Sequence, residues 1–370
     1  MNYICKKCGK LFKASPETIK CTCGAALWLD FEGHLKKEDI IQSEYSLWRY
    51  SKAYPVKLED VTVSYGEGMT PLARLDYKGF NVQIKQDNLM PTGSFKDRGV
   101  VMVTNFMKNM GVDCFAEDSS GNGGSSYAGY CALGNIDIKI FVPAGTSAGK
   151  IAQMKVYGAD LIEVEGTRQD VADQAMKNIG GSVYVGHNWH PLFVQGTKSA
   201  AYELWEQNNF KAPDNVVCVT GNGSMVAGLY IGFDDLLKSG EITKMPRIFG
   251  VQSEGCNPLY RDFVGESMNF EMTPSIAEGI RIKRSTKHDE VIGFVKETGG
   301  AFLSVEEEAI KNALFEIGKY GFYVEPTSAT VFAGLNKLIE EKSILPNQTT
   351  SILISGNGLK ATGKIMDLMD

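Results

Sequence analysis

The sequence has no excess of basic charge, no membrane-length apolar run and no apolar leader, and each absence removes a class of function. Thirty-eight Lys and Arg face 44 Asp and Glu, for a net charge of -6. Such a surface repels a phosphate backbone unless a patch is locally basic, so nucleic acid is not an expected partner. No run of about 20 apolar residues occurs, so no membrane partner is expected. Behind Lys6 and Lys7 there is no apolar stretch of the kind a secretory or transit segment needs, and the cytoplasm is the expected compartment. Hydrophobic residues are not scarce either: 43% hydrophobic and 22% charged is ordinary globular composition and excludes disorder. At 370 residues the chain is long enough for about two and a half domains, which rules out a peptide hormone or a lone binding module.

What the chain has in excess is glycine, forty of 370 residues, or about 11% against an average of about 7%. The excess is concentrated in short turns. Cysteine is divided. Cys114, Cys131, Cys218 and Cys256 stand singly in apolar segments and read as small buried hydrophobes. Cys5, Cys8, Cys21 and Cys23 crowd the N-terminus as a Cys-x2-Cys and a Cys-x-Cys separated by twelve residues. Two close thiolate pairs on short turns can complete a tetrahedral zinc shell, and Gly9 and Gly24 after each pair permit the tight backbone. A zinc-ribbon-like segment over residues 1–35 with a structural zinc is the expectation. With all four positions filled by sulfur, that metal contributes folding energy and no catalysis. The competing reading is a ribbon without metal, because Cys-x-Cys is tighter than the usual spacer.

Residues 38–60 are polar, rich in aromatics and without helical period, and read as a connector. Beyond Val61, β-rich runs over 136–143, 159–164, 216–220, 247–252 and 351–355 alternate with amphipathic stretches over 98–110, 169–178, 198–207 and 305–319. That alternation predicts an α/β fold with mostly parallel sheets between helices. Three strand exits carry nearly the same turn: Ser119-Ser120-Gly121-Asn122-Gly123, Thr220-Gly221-Asn222-Gly223 and Ser355-Gly356-Asn357-Gly358. Their spacings, about 100 and 135 residues, are too unequal for a repeat, so they are separate loops gathered at a sheet edge. Open α/β sheets bind ligands beyond the carboxyl ends of their strands, and glycine turns there let N–H groups converge on an anion at the positive end of a helix. A cofactor site is the expectation.

A lysine completes the set. In Pro91-Thr92-Gly93-Ser94-Phe95-Lys96-Asp97-Arg98-Gly99, Lys96 sits just past a Pro/Gly turn at the start of an apolar helix. Desolvation and the positive helix end both disfavour an ammonium there, freeing the amine for Schiff-base chemistry. Alone, Lys96 also reads as a solvated surface lysine, Asn122, Asn222 and Asn357 as turn residues, and Ser355 as a helix cap. Only their coincidence lifts them.

Taken in order, and preceded by Gly66-Glu67-Gly68-Met69-Thr70-Pro71-Leu72, these segments resemble the signatures of threonine synthase and its relatives, the pyridoxal-phosphate enzymes of the tryptophan-synthase β fold, fold type II. The resemblance runs from about Tyr65 to Lys360. It implies two three-layer αβα domains, one large and phosphate-binding (36–95 with 200–370) and one small (96–199) that begins near Lys96. It implies pyridoxal 5'-phosphate carried on Lys96, which also moves the substrate's Cα proton. Asn122 would meet the ring's phenolic oxygen, and Gly221, Asn222, Gly223 and Ser224 the phosphate. Ser355 would face the pyridine nitrogen as a neutral partner that favours elimination and replacement. Ser119, Ser120 and Gly121 would hold the carboxylate of a small amino-acid substrate. A homodimer and the conversion of O-phosphohomoserine and water to threonine and phosphate are also implied.

The sequence departs from the family pattern where substrate phosphate is held. The family's arginine a few residues before a Glu-Gly-Gln-Lys-Thr stretch has Phe193 as its counterpart, ahead of Gln195-Gly196-Thr197-Lys198-Ser199, and an aromatic ring cannot pair a phosphate. Gly123 replaces a threonine and Met225 a polar residue. Arg168 and Lys198 are the candidates to compensate. The alternative activity is therefore a threonine or serine dehydratase, or β-replacement on a related amino acid, none of which needs a second phosphate site. A catalytically silent relative is the third reading, and the intact Lys96 argues against it. His187 and His190 are spaced like metal ligands, but Pro191 works against a helical turn there and no second metal is expected. Arg281, Lys283, Arg284 and Lys287 read as a solvated basic loop.

Overall fold

Asn215–Val219 is buried along its whole length, with Val216 and Cys218 turned to one core and Val217 to another. A strand dry on both faces needs cover above and below, the condition under which parallel sheets form. The computed structural model describes residues 1–146, 148–166, 168–177 and 180–369. Its strands are β1 (Asn2–Ile4), β2 (Leu11–Lys13), β3 (Trp28–Asp30), β4 (Leu72–Tyr77), β5 (Phe80–Gln86) and β6 (Cys114–Glu117). They continue as β7 (Asp137–Pro143), β8 (Asp160–Val164), β9 (Val183–Tyr184), β10 (Asn215–Val219), β11 (Arg247–Ser253), β12 (Ala301–Val305) and β13 (Thr350–Ile354).

They form three sheets. The largest runs β12-β11-β10-β13-β5-β4, parallel except for the edge strand β4, which pairs antiparallel with β5. The second runs β8-β7-β6-β9 and is wholly parallel. The third, β2-β1-β3, is a small antiparallel ribbon. Helices Glu307–Gly318 and Pro326–Glu340 contribute Ile310, Leu314, Val331 and Leu335 to the core on one face of the large sheet. Helices Ser199–Gln207, Ser224–Lys238 and His288–Glu297 cover its other face, in a core that also takes in Phe115, Ile140 and Val142 of the second sheet. Helix Arg168–Lys177 closes the far side of that second sheet. The fold is therefore α/β with helices on both faces of mostly parallel sheets.

Most expected elements lie within two residues of their observed bounds. The stretch 305–319 is divided, because Val305 ends β12 and the helix begins at Glu307. The helix expected over 169–178 is Arg168–Lys177, and Asn178 lies outside the described residues. The β4–β5 hairpin has no counterpart in the sequence reading. The edge position of β4 lets polar side chains interrupt its apolar pattern, while in β5, paired on both sides, Asn81, Gln83 and Lys85 interrupt it. In the connector, only short 3-10 turns form, at Lys37–Asp39, Leu47–Ala53 and Leu58–Asp60.

Candidate active site

Gly93 takes φ 86°, a left-handed backbone that side chains resist, and so turns the chain from β5 toward helix Lys96–Asn109. Because β5 and β13 are neighbours, the lysine turn meets the turn after β13. The Phe95 N–H donates to the Ser355 carbonyl (3.0 Å), the Asn357 N–H donates to the Gly93 carbonyl (3.0 Å), and Ser94 pairs with Gly356 as a bridge. Lys96 is half-buried, its Nζ 4.7 Å from the Phe95 ring and 5.5 Å from the Phe193 ring. Behind it the helix start is anchored by charge. Asp97, wholly buried, accepts from the Thr92 N–H (2.8 Å), the Thr92 hydroxyl and the Ser126 hydroxyl (2.6 Å). Arg98 is clamped between Asp87 (2.7 Å) and Glu203 (2.5 Å), and Lys85 reaches Glu203 from the other side (2.5 Å), all buried. Burial pushes the Glu203 carboxyl up, but Arg98 and Lys85 outweigh it and hold it at about 2.

The other turns converge on the same place. Asn122 opens helix Asn122–Gly134, and its Nδ2 donates to Glu325 (3.1 and 3.2 Å). Ser119 is buried, Ser120 and Asn122 half-buried, and Gly121 exposed. Glu325 lies just before helix Pro326–Glu340 and against Gly356, where an added Cβ would meet its Oε1 at 2.2 Å. Burial pushes its carboxyl up, while Asn122, Lys360 and Lys96 pull it down. The Ser355 hydroxyl is 2.9 Å from that of Ser328, which also accepts from the Ser355 and Gly356 N–H groups (3.1 and 2.8 Å). The sequence does not single out Glu325 or Ser328, because each meets its partner through the fold and the local signal is no more than an acidic residue preceding Pro326.

The turn after β10 ends with Gly223 at φ 90° and opens helix Ser224–Lys238. Its first amides have no partner within the helix. Asn222 accepts from the Thr286 N–H (2.9 Å), and its Nδ2 donates to the Thr286 hydroxyl (3.1 Å) and the Asn188 carbonyl (3.4 Å). Lys287 reaches the Asn188 and Trp189 carbonyls (3.3 and 3.4 Å) and is buried, so burial pulls its ammonium down to about 8. This corrects the expectation of a wholly solvated loop. Lys283 and Arg284 are exposed and Arg281 half-buried, but the loop braces the second turn.

Residues 63–356 match the family described as pyridoxal-phosphate dependent enzyme. The chain belongs to that family. Threonine synthase of Methanocaldococcus jannaschii is 31% identical over 96% of this chain and 92% of its own length. Threonine synthase of Methanosarcina acetivorans is 29% identical over 99% and 94%. Among solved structures, a fungal L-serine ammonia-lyase from Rhizomucor miehei superposes with TM-score 0.72 at 20% identity, covering 81% of this chain and 97% of that one. Threonine deaminase isoform 2 of Solanum lycopersicum gives 0.71 at 19%, covering 96% and 93%. At those identities the structures show the shared fold, that of fold type II pyridoxal-phosphate enzymes.

The residues present suit the family's cofactor. The Ser94 hydroxyl, two residues before Lys96, is buried with no hydrogen-bond partner among the described residues, and a polar group bound at this turn would satisfy it. The Gly221–Ser224 turn offers a helix start to a phosphate. Phe193 is wholly buried, and an added Cβ on Gly99 would meet its ring at 2.4 Å, so it fills space beside Lys96. Lys198 does not compensate for a missing arginine, because its Nζ is bound to Asp235 (2.9 Å). The Arg168 side chain lies outside those described. Met225 is buried in the core behind the second turn. His187 pairs with Glu117 (2.6 Å) and His190 accepts from the Leu192 N–H (3.2 Å), so the two rings serve different partners.

The N-terminal sulfurs also gather. Cys5, Cys8, Cys21 and Cys23 place their Sγ atoms within 4.8 Å of one another, on turns closed by Gly9 (φ 72°) and Gly24 (φ 85°). The ribbon docks on helix His288–Glu297 through Trp28, which lies edge-on to Phe294 at 5.6 Å and donates to Glu290 (3.2 Å).

Proposed function

We propose that the chain is a pyridoxal-phosphate-dependent lyase of the threonine-synthase type, breaking a carbon–oxygen bond in the side chain of a small amino acid. The single observation that carries this reading is Lys96 at the start of its helix, stitched by backbone to the Ser355 turn. The likeness to two archaeal threonine synthases over nearly the whole chain supports it. When bound, the cofactor supplies an electrophilic aldehyde and a ring that delocalises the electron pair released at Cα.

The chain's own residues supply the rest. Lys96 would hold the cofactor, and its amine would take the Cα proton of the substrate. Asn122, its amide fixed by Glu325, would hold the cofactor ring through the phenolic oxygen. Gly221, Asn222, Gly223 and Ser224 take the phosphate at the helix start. Ser355, its hydroxyl paired with that of Ser328, would offer the ring nitrogen a neutral partner. Ser119, Ser120 and Gly121 receive the substrate carboxylate. Around this site the chain divides into 1–35, 36–95 with 200–370, and 96–199, a division supported by the separate sheets. The four cysteines hold a structural zinc, and the soluble enzyme acts as a cytoplasmic homodimer.

Phe193 favours a second reading, deamination of serine or threonine, since no guanidinium stands at its position. Phosphate release from O-phosphohomoserine, compared with ketoacid release from serine and threonine, separates the two. A protein that stays colourless with the cofactor and gains no cofactor mass on Lys96 after borohydride reduction would sink both. For the ribbon, one zinc per chain by elemental analysis is expected, lost in Cys8→Ser with catalysis retained.

A further inference from the structure

His187 and Glu117 form a buried pair that the chemistry above does not use. Glu117 ends β6 and is wholly buried; His187 follows the neighbouring strand β9 and is 6% exposed. His187 Nδ1 lies 2.6 Å from Glu117 Oε1, and the His187 backbone N–H donates to Oε2 (3.2 Å). A buried carboxylate in that position holds Nδ1 protonated and leaves Nε2 as the nitrogen that exchanges a proton.

The imidazole stands beside the substrate's expected place. A Cβ added to Gly123 would meet His187 Cε1 and Nδ1 at 2.8 Å and the Ser119 hydroxyl at 3.0 Å, so ring and hydroxyl flank one point of the turn. The His187 ring lies 5.6 Å from Phe193, whose ring is 5.5 Å from Lys96 Nζ. The imidazole thus lies against the turn assigned to the substrate carboxylate and one aromatic ring away from the amine assigned to the Cα proton.

We infer that His187, oriented by Glu117, is the general acid that protonates a departing side-chain oxygen, so that the leaving group is a hydroxyl and not a phosphate dianion. The inference rests on the lyase reading. Hydroxide leaves poorly unless protonated, whereas phosphate leaves as a stable anion, and Phe193 gives a dianion nothing to pair with. As Lys96 removes the Cα proton of a β-hydroxy amino acid, that electron pair becomes the Cα–Cβ double bond. The Cβ–O bond breaks with its pair on oxygen, the Nε2 proton of the imidazolium goes to that oxygen, and water leaves. The neutral imidazole is recharged from solvent after product departs.

The test compares wild type, His187→Gln and Glu117→Gln on serine, threonine and β-chloroalanine, whose chloride needs no proton. His187→Gln should lower kcat on serine and threonine by about 10²-fold or more, yet stay within about threefold of wild type on β-chloroalanine with the bound cofactor's absorbance unchanged. Glu117→Gln should show the same split at smaller size. Nitrogen NMR of histidine-labelled protein without added cofactor should show His187 protonated at Nδ1, a state weakened in Glu117→Gln. Equal losses on all three substrates overturn the assignment, as does an unprotonated Nδ1 in the unaltered chain, which decides the matter even where a variant does not fold. Wild type that releases phosphate from O-phosphohomoserine and no ketoacid from hydroxy amino acids also overturns it while sparing the lyase reading. A protein that binds no cofactor overturns both.

Discussion

The carboxyl edges of the two parallel sheets carry different halves of the candidate site and are fastened differently. At the six-stranded edge, the turns bearing Lys96 and Ser355 leave adjacent strands and are joined by backbone hydrogen bonds. At the four-stranded edge, the Ser119–Asn122 turn reaches across through side chains, Asn122 to Glu325, with His187 packed against Gly123. Backbone bonds are indifferent to most substitutions, whereas a side-chain bridge can be altered one residue at a time. The first edge therefore fixes the lysine proposed above to hold the cofactor. The second can be retuned, and Gly123 and Phe193, where this chain departs from the family pattern, both lie by it.

The sharpest way to break that division is at Lys96. Lys96→Ala should cost more than about 10³-fold in turnover, since both the covalent anchor and the Cα base are lost. It should leave the fold intact, because the turn is held by the Phe95 and Asn357 backbone bonds. Activity within tenfold of wild type would place the chemistry elsewhere. Next comes the foundation of the same edge. Arg98→Ala leaves Asp87 and Glu203 buried without their shared cation and should cost about 3–5 kcal/mol in urea unfolding. A loss under 1 kcal/mol would mean that Lys85 alone satisfies both carboxylates.

The segment joining the two edges gives a smaller effect that depends on pH. Burial, with Lys287 nearby, holds His190 down at about 3, below its ordinary value near 6.5. The unfolded chain therefore takes the proton first as pH falls, and the stability from this group is complete above about 6.5 and drains away toward 3. By pH 5 the loss should reach about 2 kcal/mol, from at most about 1.4 kcal/mol per pH unit. His190→Asn should flatten that slope in urea titrations at pH 7 and 5. An unchanged slope would show that His190 takes up its proton over the same pH range in the folded and the unfolded chain.

What the sequence discloses follows the same division. Lys96 and the three glycine turns are legible because each is a local device: a turn residue, a helix start, a strand exit. Strands β10, β11 and β13 of the large sheet are legible because burial makes them nearly continuous apolar runs, whereas β4, β5 and β12 of the same sheet are not. Glu325 and Ser328 are not legible, since each meets its partner across the fold, about 200 residues away for Asn122 and Glu325. Lys287 misleads because a run of basic residues says nothing of which member turns inward. His187 is visible only as a possible metal ligand, and its carboxylate partner lies 70 residues earlier.

The smallest effect tests the bridge itself. Asn122→Ala removes the donor to Glu325 but none of the bonds that hold Lys96, so unfolding should change by less than about 1 kcal/mol while cofactor affinity falls about tenfold. Glu325→Gln keeps the hydrogen bond but discards the charge that faces Lys96 and Lys360. If the bridge only positions the amide, Glu325→Gln should retain cofactor affinity within about twofold and Asn122→Ala should not. If the two variants lose affinity equally, the carboxylate's charge matters as much as its geometry, and the four-stranded edge is tied to the lysine electrostatically as well as by contact. Equilibrium titration of the unloaded protein with pyridoxal phosphate, read by the gain in visible absorbance, distinguishes these outcomes.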